Sequence, residues 1–169
     1  MSKILITGGA GYIGSVLTGM LLQRTNEVTV IDNLMYGQSS LTNLCSYKGF
    51  NFIEGDVRDK ALLEEQVKKH DVIIPLAAIV GFPACERDKQ LATAVNYEHV
   101  SDICKWASSN QKLIYPNTNS GYGVGEDDTL CTEETPLSPI SHYGVTKCQA
   151  EATILSKGGI SLRLATVFG

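Results

Sequence analysis

Residues 3–14 read Lys-Ile-Leu-Ile-Thr-Gly-Gly-Ala-Gly-Tyr-Ile-Gly. Ile4, Leu5 and Ile6 form a short apolar run without a charge, the pattern of a strand buried on both faces of a parallel sheet. Gly8, Gly11 and Gly14 follow at three-residue spacing, and Ile13, Val16, Leu17 and Leu21 then recur as the apolar positions of a helix. A strand, a glycine turn and a helix bring bare backbone N–H groups and the positive helix end to one point. An anionic pyrophosphate fits there, and a β-carbon at the close-approach positions would obstruct it. A glycine triplet alone is weak evidence, its bland reading being a tight turn in some other α/β protein. Here Val28-Thr29-Val30-Ile31-Asp32 follows, a second strand ending in an acid at about the distance a dinucleotide-binding unit requires.

Length and composition narrow the class further. The chain has 169 residues, 43% hydrophobic and 19% charged, with a formal net charge of −4. This is enough for one good core, and a single domain over residues 1–169 is expected. The basic residues are scattered, so no nucleic-acid footprint is expected. The apolar runs are too short to span a bilayer, and Met1-Ser2-Lys3 leads straight into a strand with no room for a signal peptide. A cytoplasmic protein with no membrane partner is the expectation. Five cysteines, an odd number without a Cys-x-x-Cys pair, read as reduced thiols that pack rather than ligate, and no metal site is expected.

Along the chain, strands and helices alternate. Strands are expected at 3–7, 27–32, 50–55, 71–76, 112–115 and 160–165, and helices at 12–24, from Asp59 to about Lys69, 91–108 and 141–156. Met35–Ser40 reads as a loop capping a short helix. Asp59 is an N-cap candidate, Gly158-Gly159 a helix stop, and Val95, Val100, Ile103 and Trp106 are candidate core positions. Repeated βα units with short buried strands imply an α/β fold, a right-handed, doubly wound parallel sheet of Rossmann type.

In such sheets ligands bind beyond the carboxyl ends of the strands. Asp32 ends strand 2, where a carboxylate accepts from both adenosine-ribose hydroxyls and repels a 2′-phosphate, favouring NAD over NADP; its alternative is a loop acid or cap. Asp56-Val57 after strand 3 holds the adenine edge, or Asp56 caps the next helix. Leu76-Ala77-Ala78 after strand 4 is small and apolar, as a flat cofactor passing close requires. Tyr143 and Lys147, four apart on a helix, share one face. A nearby ammonium stabilises a phenolate and draws the phenol down toward working pH, which suits hydroxyl–carbonyl interconversion. Thr118, just past strand 5, places a hydroxyl that bridges a substrate oxygen to Tyr143, or satisfies backbone in a turn.

Together Thr7-Gly8-Gly9-Ala10-Gly11-Tyr12-Ile13-Gly14, Asp32-Asn33, Asp56-Val57, Leu76-Ala77-Ala78, Tyr122-Gly123 and Tyr143-Gly144-Val145-Thr146-Lys147 resemble the extended short-chain dehydrogenase/reductases, in the branch of nucleotide-sugar epimerases and dehydratases. The resemblance runs from residue 4 to 169. It implies NAD as cofactor and a nucleotide sugar as substrate. It assigns Tyr143 the proton exchange with a sugar hydroxyl, Lys147 the nicotinamide ribose and the tuning of Tyr143, and Thr118 the reacting oxygen. Gly8, Gly11, Tyr12, Ile13, Gly14, Asp32, Asn33, Asp56, Val57, Leu76, Ala77, Ala78 and Asn96, the last matching an Asn of the family's fourth helix, are its cofactor contacts. A homodimer is implied for the full-length form.

Departures from the pattern refine the expectation. Dehydratases follow the Ser/Thr with an acidic pair; here Asn119 and Ser120 stand there, and neither works as a carboxylate acid. Pro75 replaces a usual His, Gly121 a usual Val, Asn117 a frequent Ser and Thr166 a common Asn, while Arg163 and Gly169 fit the strand-6 motif. The resemblance also implies a C-terminal substrate domain that this chain lacks, so a truncated NAD-binding half is expected. The expected reaction is NAD-dependent epimerisation of a nucleotide sugar through a transient ketone. The alternatives are a net keto-sugar oxidoreductase of the same fold and a non-catalytic NAD-binding module.

Overall fold

Alternation along the strands builds the core. In the computed structural model, which describes residues 1–24, 26–124 and 130–168, β1 (Lys3–Thr7), β2 (Glu27–Asp32), β3 (Phe50–Glu54), β4 (Val72–Pro75), β5 (Lys112–Thr118) and β6 (Ile160–Leu164) form one parallel sheet in the order β3-β2-β1-β4-β5-β6. β1 lies between β2 and β4, with Leu5 opposite both Thr29 and Ile73. Side chains that alternate along a strand feed two cores. Leu5, Ile31, Ile73, Leu113 and Tyr115 pack on one face under α2 (Lys60–Lys69), α5 (His99–Trp106) and α6 (His142–Ser156). Ile4, Ile6, Val28, Val30 and Ile74 pack on the other with Leu22 of α1 (Tyr12–Gln23) and with Leu41 and Leu44. The strand order reverses between β1 and β4, so their carboxyl ends part and open a crevice.

The expected strands and the N-cap Asp59 are present, Asp59 accepting from the N–H groups of Ala61 and Leu62; Ser141, at the start of the helix expected over 141–156, caps it by accepting from Gly144 N–H. Four local expectations are corrected. On α1 the buried stripe is Gly14, Thr18 and Leu22, whereas Val16 is 64% exposed. At Gly14 the helix lies too close to the turn for a side chain, the Thr18 hydroxyl is satisfied by donating to Gly14 O at 2.7 Å, and Leu17 and Leu21 pack partly buried against the core. The helix expected from residue 91 begins earlier: α3 (Phe82–Arg87), with Pro83 in its first turn, precedes α4 (Lys89–Thr93), which passes through a π-helical stretch, Ala94–Glu98, into α5. β5 runs three residues beyond Tyr115. Its ladder to β4 stops at Ile73–Leu113, and Pro116, with no N–H to give, follows opposite Leu162 of the edge strand β6. Trp106 is half-buried against the core rather than within it. Gly169 lies outside the described residues. Among the described residues no helix is long and apolar enough to cross a membrane.

Gly14 is where the helix meets the turn: a β-carbon there would lie 2.6 Å from Gly9 Cα and 2.7 Å from Gly9 O, both immovable backbone. Gly14→Ala is expected to destabilise the chain by about 1–3 kcal/mol in urea unfolding, as overpacking does. Gly11→Ala, whose β-carbon would meet only Gly8 O at 3.2 Å, should leave stability nearly unchanged. Equal stability of Gly14→Ala and the parent would remove the close-contact account of the turn.

Candidate active site

The crevice is a cleft of about 480 Å³ that runs from the β3 side of the sheet across β1 and β4 to α6. At its middle is the glycine turn. Gly8 has φ +70, a conformation that favours glycine, and a β-carbon there would stand 2.5 Å from the Ala77 backbone. Gly8 N donates to Ile31 O at 2.8 Å, binding the turn to β2. Gly11 is the N-cap of α1 and carries no side chain to occupy the helix end, where a phosphate group is favoured. Gly11, Tyr12, Ile13 and Gly14 all line the cleft. These features fit a dinucleotide pyrophosphate: a bare helix start faces an open cleft with no β-carbon in the way.

On the β2–β3 side, Asp32 is 8% exposed. Its Oδ2 accepts from Ala10 N and its Oδ1 from Leu34 N, each at 2.9 Å, so it ties the glycine turn to the loop after β2. Each oxygen retains a second acceptor position for a ribose hydroxyl. Asn33 donates to Asp56 Oδ2 at 3.2 Å. Asp56 does not cap α2, which Asp59 does; it pairs with Arg58, whose guanidinium holds the carboxyl well below the usual carboxylate range. Val57, also on the cleft, is buried.

Leu76, Ala77 and Ala78 form the cleft wall beyond β4 as expected. Asn96 does not line it. Its Oδ1 accepts from Ile79 N at 2.8 Å, and its Nδ2 donates to Ile79 O at 3.0 Å and reaches Thr146 Oγ1 at 3.4 Å. The π-helical stretch turns this side chain inward, where it pins the loop after β4 to α6 from behind the wall. Its amide is spent on backbone, which corrects the expectation of a direct cofactor contact.

Tyr143 and Lys147 line the far end of the cleft, one turn apart on α6. Lys147 is 5% exposed; its Nζ donates to Pro116 O at 2.8 Å and lies 4.0 Å from the Tyr115 ring centroid. Burial pushes its pKa down to about 7 against the favourable Cys148 and Glu151. Burial pushes the Tyr143 phenol up and the Cys85 thiol adds to this, while the nearby Thr118 hydroxyl draws it back. The expectation that Lys147 lowers the phenol is therefore not met in this geometry: its ammonium is anchored on β5 and is itself partly neutral near pH 7. Thr118 stands outside the cleft lining. Its hydroxyl caps the turn Asn119–Tyr122, accepting from Ser120 N and donating to Ser120 Oγ, each at 3.1 Å, so its hydrogen bonds are those of the turn.

One network escaped the sequence reading. Glu151, 3% exposed, accepts from Arg163 Nε at 2.9 Å and from the Asn117 amide, and Arg163 Nη1 reaches the Tyr122 hydroxyl at 3.0 Å. The available signal was spacing: Tyr143, Lys147 and Glu151 recur every four residues on one helix face. Gly121, a departure from the family pattern, sits where a β-carbon would meet Cys148 Sγ at 2.8 Å, so Cys148 fills the space a larger residue would take. Among the described residues no group of His, Cys, Asp or Glu is placed to hold a metal ion.

The model of the NAD dependent epimerase/dehydratase family matches residues 4–169, and the chain belongs to that family. It is 32% identical over 162 residues to a UDP-glucose 4-epimerase of Corynebacterium glutamicum, covering 91% of this chain and 46% of that protein. It is 27% identical over 169 residues to a dTDP-glucose 4,6-dehydratase of Streptomyces niveus, covering 91% and 48%. A solved structure of UDP-glucuronic acid 4-epimerase from Bacillus cereus, in complex with UDP-glucuronic acid and NAD, superposes with a TM-score of 0.87 at 29% identity over 99% of this chain and 57% of that one. The chain spans about half the length of the curated relatives it matches.

Because the fold lowers the Lys147 pKa from 10.5 to about 7, the folded chain holds fewer protons than the unfolded chain between those values. Stability therefore rises with pH across that window, and the burial penalty is fully present below it. In thermal melts, Lys147→Met should gain most over the parent at about pH 6 and lose that gain above about pH 10. A difference independent of pH would place its cause in packing rather than charge.

Proposed function

We propose that residues 1–169 are the NAD-binding domain of a nucleotide-sugar epimerase. The observation that carries this reading is one cleft with a bare glycine turn at its middle, Asp32 on its β2–β3 side and Tyr143 and Lys147 at its far end. NAD bound there would supply the hydride acceptor and a positive charge. Gly11 and the start of α1 would receive its pyrophosphate, and Asp32 its adenosine ribose. Tyr143 exchanges the proton of the reacting sugar hydroxyl, Thr118 would bind the reacting oxygen, and Lys147 would hold the nicotinamide ribose. A sugar hydroxyl, at C4 in this reading, is oxidised to a ketone and then reduced from the other face. The full-length form is read as a cytoplasmic homodimer acting on a nucleotide sugar.

Epimerisation is favoured over dehydration by Asn119 and Ser120, exposed residues on the turn after β5 that supply no carboxylate for eliminating water. A net keto-sugar reductase is the second reading of the same site, and NADH consumption separates the two. The full-length protein, given NAD and a panel of UDP- and dTDP-hexoses, should interconvert epimers without accumulating or consuming NADH. Tyr143→Phe should then lower turnover by about 10²–10⁴-fold with NAD affinity little changed, the scale of a lost general acid–base group. Unchanged turnover in Tyr143→Phe would remove Tyr143 from the chemistry, and stoichiometric NADH consumption would favour the reductase.

A further inference from the structure

We propose that His142 is a positioning residue for Tyr143: its imidazole latches the first turn of α6 to α4 and so fixes where the Tyr143 ring stands at the end of the cleft. The inference deepens the epimerase reading and rests on it. His142 is the first residue of α6 after the cap Ser141, and its side chain does not line the cleft. Its Nε2 lies 2.9 Å from Thr93 Oγ1 and 3.2 Å from Lys89 O, one turn apart on α4. The Thr93 hydroxyl donates its single proton to Lys89 O at 2.8 Å. That hydroxyl is left to accept from the ring, and the Lys89 carbonyl is an acceptor as well. Nε2 therefore carries the proton, since a lone pair there would face two oxygens with none to receive. The tautomer of His142 is set by α4.

The latch is one half of a clamp on the first turn of α6. The other half is Gly144, where a β-carbon would stand 2.9 Å from Pro139 Cβ and 3.1 Å from Ser120 O of the turn after β5. Tyr143 lies between the two fastenings in the chain. Its ring packs against the cluster that Cys85 of α3, Ala92 of α4 and Val95 of the π-helical stretch help to form. Thr93, which His142 grips, directly follows Ala92. A shift of α4 against α6 would thus move the surface on which the phenol rests. The glycine turn and Asp32, read as holding the cofactor, belong to β1, α1 and β2 and would stay in place. Loss of the latch should therefore disturb the geometry of proton transfer and spare cofactor affinity. Misplacing a reacting group by about 1 Å costs about 10²-fold, so loosening one hydrogen-bonded contact is expected to cost about tenfold.

Steady-state epimerisation kinetics of the full-length protein, with calorimetric NAD titration beside them, test the proposal. His142→Leu removes the donor, and Thr93→Val keeps the shape but removes the acceptor. Each should lower kcat about tenfold, with KM and NAD affinity within about twofold of the parent. The double variant should be no worse than either single one, because both break the same contact. His142→Gln, whose amide also donates at that reach, and Thr93→Ser should restore most of the rate. Parent-like kcat in either His142→Leu or Thr93→Val would overturn the proposal. So would additive losses in the double variant, a fall in NAD affinity that matches the fall in kcat, or a His142→Gln no better than His142→Leu. Should His142→Leu fail to fold, the comparison of Thr93→Val with Thr93→Ser still decides. No turnover by the parent would instead defeat the epimerase reading, and this inference with it.

Discussion

The constraint on which the structure depends is the absence of side chains where three pieces of backbone meet. Gly8 touches the Ala77 backbone beyond β4, and Gly14 touches Gly9 across the turn, at distances that admit no β-carbon. These contacts set how closely α1 sits on the sheet and how far the ends of β1 and β4 part. The cleft inherits its floor from the first contact and its bare helix end from the second. Asp32 then fastens the turn from the side, accepting from Ala10 and Leu34, so the group proposed to meet the ribose also keeps the pyrophosphate site in shape.

The other end of the cleft is organised by burial rather than by close backbone contact. Lys147 and Glu151 are both interior residues of α6, and Arg163 of β6 and Asn117 of β5 satisfy the glutamate. Buried ion pairs contribute little net stability, because desolvation offsets their attraction. What this one does is fix α6 against the last two strands, and so the position of Tyr143 against Thr118. The depressed Lys147 pKa is the mark of that environment. The ammonium is held by one carbonyl and one aromatic face and is largely shielded from solvent.

Much of this was legible in the chain. Short apolar runs, glycines at fixed spacing and the cap Asp59 located the sheet, the crevice and most of the cleft lining. Local signals failed where a residue's task is set by a distant partner. Asn96 carries a family match but spends its amide on Ile79, because a π-helical stretch that no local pattern marks turns it away from the cleft. The partners of Asp56, Arg58 and Asn33, are likewise set by the folded loops rather than by any local pattern. Val16 fitted a helical period yet is exposed, while Leu17 and Leu21 pack on the core and Gly14 is set by close approach to Gly9. The Tyr143–Lys147 spacing placed both residues correctly and misjudged their electrostatics, since burial, invisible in spacing, dominates both groups.

The account stands on the cleft being a dinucleotide site whose ribose anchor is Asp32. Titration calorimetry of the chain with NAD and with NADP measures this directly. NAD should bind at least about tenfold more tightly, because the carboxylate accepts from the ribose hydroxyls and repels a 2′-phosphate, and Asp32→Ala should narrow the gap. Equal affinity of the parent chain for the two cofactors would contradict it.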